Sequence, residues 1–187
     1  MNGLDTAWAR SEDHARDVER RLAERTRHLE AATRRDPLTG AANRRGLLET
    51  LSSALSLALV DGTPVSVRYD DIDDIKTVND EHGHATGDRV LRLVAGALRQ
   101  ACRDGDTIAR LGGDEFCAVL TYCDLDHAVE VAERLFSHLE ASDEAITLSV
   151  GLTQSSALTS TDGKALMARA DARMHEAKQK PGNAIST

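Results

Sequence analysis

The run Arg110-Leu111-Gly112-Gly113-Asp114-Glu115-Phe116 constrains this chain more than any other segment. Two adjacent glycines separate two apolar stretches, which reads as a β-hairpin with strands near 106–111 and 115–121. Glycines accept positive φ and let a ligand approach the backbone. Asp114 and Glu115 add two hard oxygen donors at the turn, a chemistry that can hold Mg²⁺ against a nucleotide triphosphate. An ordinary hairpin turn with solvated acids has the same residues, so the turn alone leaves both readings open.

A second acid cluster bears on the choice. Residues 64–71 read as a strand rich in β-branched residues and run into Asp70-Asp71-Ile72-Asp73-Asp74-Ile75-Lys76. Carboxylates at the end of a strand can hold an ion, and a helical turn over 74–80 offers free N–H groups to phosphate. The polar stretch from Asn79 to Asp88 can present an amide and a carboxylate to a purine edge. Arg68 and Asp70 are unusual in a strand, because buried charge is costly unless paired. Their i, i+2 spacing predicts a pair on one face, near an exposed edge.

The wider pattern is one domain with an appendage, which 187 residues accommodate. Aromatic content of 3% requires a core of Leu, Val, Ile and Ala, and a net charge of −8 argues against a nucleic-acid surface. Cys102, Cys117 and Cys123 have no metal-site spacing and are expected to be reduced thiols in a cytoplasmic protein. No signal peptide or bilayer-spanning run is read from this segment.

Over residues 1–35, Trp8, Ala15, Leu22 and Leu29 recur every seventh position, with Ser11, Val18, Arg25 and Ala32 on the second seam. That spacing predicts a parallel coiled coil, with a lone charged helix as the alternative. Pro37 disfavours helical continuation through Asp36, so the domains are read as 1–35 and 36–187. Further helices are predicted over 43–60 (apolar at Leu47, Leu48, Leu51, Leu55 and Leu59), 87–102, 125–140 and 163–179, and a strand over 145–153. The order α-β-α-α-β-β-α-β-α implies an α+β fold with a mixed central sheet flanked by helices.

Several motifs stand in order: Asp36-Pro37-Leu38-Thr39-Gly40, Asn43-Arg44-Arg45, Asp71-Ile72-Asp73 with Lys76, Asn79-Asp80, Gly83-His84, Gly87-Asp88, and Arg110 with Gly112 to Phe116. Together they resemble the GGDEF family of diguanylate cyclases from about residue 36 to about residue 180. The resemblance implies a palm-like, ferredoxin-related nucleotidyl cyclase fold. It implies condensation of two GTP into cyclic di-GMP plus pyrophosphate by a homodimer, with two Mg²⁺ or Mn²⁺ ions per active site.

By the same resemblance, Asp71, Glu115, Asp114 and the Ile72 carbonyl are metal ligands, and Asp114, Glu115 and Lys76 are catalytic. Asn79, Asp88, Lys76, Lys178, Gly112 and Gly113 contact GTP. Arg103 and Asp106, with Arg134 from a neighbouring domain, match an RxxD site for product inhibition. Residues 1–35 are expected to dimerise the chain, and an upstream sensor is expected in the parent protein. The chain departs from the family pattern at Ile75, at His175, and at Gly182, which stands where a phosphate-clamping arginine is usual. The alternative reading is a weak or inactive domain that serves as a cyclic di-GMP or GTP-binding regulator.

Overall fold

A computed structural model describes residues 34–142, 144–155 and 162–187. The seam positions of the coiled-coil reading lie outside the described residues. In order, the elements are β1 (Ala42–Asn43), α1 (Arg44–Asp61), β2 (Val65–Ile72), α2 (Ile75–His82) and α3 (His84–Ala101). They continue with β3 (Thr107–Gly112), β4 (Glu115–Thr121), α4 (Leu125–Glu140), β5 (Leu148–Gln154), α5 (Gly163–Ala177) and β6 (Ala184–Ser186). Among the described residues, no helix is long and apolar enough to cross a membrane.

The six strands form one sheet in the order β1-β3-β4-β2-β5-β6. β2 lies antiparallel to both β4 and β5, while β1 is parallel to β3 and β6 is parallel to β5, so the sheet is mixed as expected. Period-2 alternation divides the core. Phe116, Ala118 and Leu120 of β4 face a cluster with Val94 and Leu98 of α3 and Leu135 and Leu139 of α4. Cys117 and Val119 face the other side, with Leu47 and Leu51 of α1 and Leu166 and Met174 of α5. Helices therefore cover both faces, and truncating one of these fully buried leucines to Ala costs about 2–5 kcal/mol.

Local chemistry sets the helix ends. Asn43 Oδ1 accepts from the Gly46 N–H at 3.0 Å and starts α1, and Asp124 Oδ1 accepts from the His127 N–H at 2.9 Å and starts α4. α5 crosses β5 so closely that a Cβ at Gly151 would lie 2.0 Å from the Ala170 carbonyl oxygen. That approach fixes where the end of α5 sits relative to β2.

The structure alters several sequence expectations. α3 begins at His84 rather than 87, and β5 begins at Leu148 rather than 145. Burial on α1 stops at Leu55, and Leu59 is 61% exposed, because the last turn runs past the face that the helix packs on. Arg68 and Asp70 do pair, with Nε 2.9 Å from Oδ1, but both side chains are wholly buried. The expected exposed edge is absent there because β2 lies between β4 and β5 and all eight of its residues are buried.

Candidate active site

The hairpin turn and the end of β2 meet through the strand register. Asp71 lies opposite Glu115 in the β2–β4 ladder, which puts the two carboxylates on the same face. The Ile72 N–H donates to the Asp114 carbonyl at 3.3 Å. Gly113 has φ +52, a left-handed conformation that favours glycine. Its carbonyl accepts from Arg110 Nε at 3.0 Å and Nη2 at 2.6 Å. Arg110 Nη1 in turn reaches Asp36 Oδ2 at 3.4 Å, and Asp36 Oδ1 accepts from the Thr39 N–H and hydroxyl. The Asp36-to-Gly40 motif thereby braces the acidic turn from a distant part of the chain.

Asp71 is nearly buried, and Lys178 Nζ, just beyond α5, lies 2.8 Å from its Oδ1. Burial pushes the Asp71 carboxyl up; Lys178 opposes the rise, and the Asp114 and Asp73 charges add to it. Burial alone would lower Lys178, but Asp71, with Asp114 and Asp73 behind it, holds the ammonium above its ordinary value. Asp73 has different partners, since its two oxygens accept from Thr147 Oγ1 at 2.7 Å and Ser149 Oγ at 2.8 Å. These bonds tie the turn after β2 to β5.

Asp71, Ile72, Lys76, Asp114 and Lys178 line one open cleft of about 460 Å³, and Lys180 and Gly182 form part of its wall. Lys180 Nζ donates to the Ile185 carbonyl at 3.2 Å. Asn79 sits on α2 and Asp88 on α3, and neither is among the residues that line this cleft. A Cβ on Gly87 would stand 2.0 Å from Asn79 Oδ1, so the missing side chain at Gly87 leaves the space that the Asn79 amide occupies.

Among the described residues, no three His, Cys, Asp or Glu side chains converge into a cation cage. The donors still suit Mg²⁺, which is usually held by one or two carboxylates with substrate phosphates and water rather than by an all-protein cage. The ammonium of Lys178 among Asp71, Asp114 and Asp73 marks the spot as one that attracts a cation.

The turn holding Arg103 and Asp106 lies between α3 and β3. Asp106 Oδ2 accepts from the Arg103 N–H at 3.0 Å, and Oδ1 accepts from the Thr121 N–H at 3.2 Å. Arg134 of the same chain donates Nε and Nη2 to the Ala101 carbonyl at 3.3 and 2.9 Å, two residues before Arg103.

Tyr69, which the sequence reading does not single out, also borders the acidic turn. It is 6% exposed, and its phenol faces the Glu115 carboxylate; burial, then the Glu115 charge, pushes the phenol well above its ordinary range. The signal was available, because Tyr69 precedes Asp71 by two residues in a strand and so shares its face.

The family model described as "Diguanylate cyclase, GGDEF domain" matches residues 33–184. The diguanylate cyclase DgcP of Pseudomonas aeruginosa is 36% identical over 151 residues, covering 77% of this chain and 22% of that protein. The response regulator PleD of Caulobacter vibrioides is 35% identical over 159 residues, 80% of this chain and 35% of that one. The chain thus spans well under half the length of these relatives. Among solved structures, the diguanylate cyclase SiaD of Pseudomonas aeruginosa, in complex with its activator SiaC, is 32% identical with a TM-score of 0.75, covering 97% of this chain and 73% of that one. The coiled coil and GGDEF domain of DgcB from Caulobacter crescentus, in complex with c-di-GMP, is 29% identical with a TM-score of 0.73, covering 97% and 98%. With this match over most of its length, and with its acidic turn set against the strand-end carboxylates, the chain belongs to the GGDEF diguanylate cyclase family.

Proposed function

We propose that this chain is the catalytic domain of a homodimeric diguanylate cyclase. Asp71 facing Glu115 across the ladder, beside a cleft lined by Lys76, Lys178 and Asp114, is the observation that carries the reading. Each domain holds one GTP, and two domains face each other. The 3′-hydroxyl of one GTP attacks the α-phosphate of the other, the O3′–P bond forms, and the bond to pyrophosphate breaks in line. The hydroxyl proton passes toward the Asp114 carboxylate.

Asp71, Asp114, Glu115 and the Ile72 carbonyl would hold Mg²⁺ or Mn²⁺, two per site, which supplies charge neutralisation at the phosphates. Lys76 and Lys178 meet phosphate oxygens, and Gly112 and Gly113 leave room for the nucleotide at the turn. Asn79 and Asp88 read guanine, whose N1–H and N2–H₂ donors suit a carboxylate and are absent as a pair from adenine. Residues 1–35 bring two domains together as a coiled coil and raise their effective concentration. Arg103, Asp106 and Arg134 bind the product and slow the enzyme.

A second reading, a weak cyclase or nucleotide-binding regulator, has one observation in its favour. Gly182, where the family usually has arginine, is exposed at φ +71 and supplies no phosphate clamp. Incubating the full chain with GTP and Mg²⁺ and identifying products by mass separates the two. Cyclic di-GMP from the wild type and none from Glu115→Gln is the expected result. Near-normal turnover by that variant would overturn the metal assignment, and GTP binding without turnover by the wild type would favour the regulator.

A further inference from the structure

The ion pair between Lys178 and Asp71 has a consequence for how the site loads. Asp71 is a side chain 7% exposed, and its partner among the described residues is Lys178, 2.8 Å away. A buried carboxylate without a partner is costly. Asp73 avoids that cost through the Thr147 and Ser149 hydroxyls. Asp71 depends on an ammonium that arrives from another element.

The backbone carrying that ammonium is well anchored. Met174 and Ala177 are buried, and α5 is pressed on β5 at Gly151. The Lys178 side chain itself is 40% exposed, so its head can leave the carboxylate without movement of the helix. Lys180, by contrast, is engaged with the Ile185 carbonyl.

We infer that Lys178 is an internal counter-ion for the site, neutralising Asp71 until nucleotide phosphates draw its ammonium away and free the carboxylate for a divalent cation. Cation and nucleotide then bind cooperatively, and the cation alone binds poorly because it must displace Lys178. The lysine keeps the empty site stable and delays metal loading until substrate is present. This inference rests on the reading of Asp71 as a metal ligand.

The test is Mn²⁺ binding by the full chain, followed by electron paramagnetic resonance of the free ion, with and without a GTP analogue bearing an α,β-methylene bridge. The wild type is expected to bind Mn²⁺ weakly alone and much more tightly with the analogue. Lys178→Met removes the competitor, so Mn²⁺ alone should bind about tenfold more tightly, and the enhancement by the analogue should shrink. Lys178→Arg keeps the competitor and strengthens its grip through a forked donor, so metal-alone binding should be no tighter than in the wild type. This second variant keeps the test decisive if Lys178→Met does not fold.

In a melting experiment without nucleotide, Mn²⁺ should raise the melting temperature of Lys178→Met more than that of the wild type. Equal metal-alone affinity in the wild type and Lys178→Met, or tighter binding by Lys178→Arg, overturns the inference. Failure of the underlying metal reading has a different signature: Asp71→Asn would bind Mn²⁺ with the analogue as well as the wild type does.

Discussion

Arg68 Nε lies 2.9 Å from Asp70 Oδ1 inside the central strand, with neither side chain exposed to solvent. The same nitrogen also reaches Oδ2 at 3.1 Å, whereas Nη1 and Nη2 have no hydrogen-bond partner among the described residues, with the half-buried Cys102 thiol beside the guanidinium. Two charges are thus taken out of water one residue from the metal-ligand candidate Asp71.

Breaking this pair on one side should cost far more than removing it whole. Arg68→Met alone leaves the Asp70 charge buried and is expected to lose about 3–5 kcal/mol of stability in chemical denaturation. The double variant Arg68→Met with Asp70→Leu should recover most of that loss, because two apolar side chains suit the surrounding core. Additive losses in the double variant would show that the two residues are not energetically coupled.

Gly87→Ala should leave the fold intact and displace the Asn79 amide, whose oxygen occupies the space that the new methyl group needs. The loss of one base-reading hydrogen bond corresponds to about 1–2 kcal/mol, or roughly a five- to thirtyfold rise in KM for GTP. Discrimination against ATP should fall in parallel. An unchanged KM at unchanged melting temperature would mean that Asn79 does not touch the base.

Tyr69→Phe removes the hydroxyl that faces Glu115 while keeping the buried ring. If Tyr69 orients this carboxylate, the Mg²⁺ concentration needed for half-maximal turnover should rise about tenfold, in keeping with the usual effect of residues behind metal ligands. The melting temperature should change little. A metal requirement identical to that of the wild type would assign Tyr69 to packing alone.

The start of α4 provides a pH-dependent contact away from the site. His127 Nδ1 lies 2.7 Å from Asp124 Oδ1, and this hydrogen bond, then the Asp124 charge, raises the imidazole above its ordinary value. Bonds from the His127 backbone and then its ring hold Asp124 below the ordinary carboxylate range. A raised folded-state value stabilises fully below the unfolded histidine value and fades as pH rises through the folded one. A depressed carboxylate stabilises above its unfolded value and fades as pH falls through the folded one. The cap should therefore be strongest between the ordinary carboxylate and histidine ranges. NMR titration should place the His127 midpoint above about 6.5 and return it there in Asp124→Ala; an equal midpoint in both proteins would refute the contact.

What the sequence determined by itself was the local frame. β-branched content marked β2, alternation marked β5, helical spacing marked α1 and α3, and the Gly-Gly turn marked the hairpin, because each pattern depends on residues a few positions apart. The ordered motifs then identified the family. β1 and β6, only two and three residues long, carry no readable period and exist because a neighbouring strand offers them a parallel edge. Tertiary structure alone decided that Lys178 meets Asp71, that Asp73 is held by Thr147 and Ser149, and that Arg110 links the acidic turn to Asp36. It also decided that Arg68 and Asp70 are sealed inside the sheet rather than at an edge. Such contacts depend on strand order and on how closely each helix crosses the sheet, which short-range patterns in the chain do not encode.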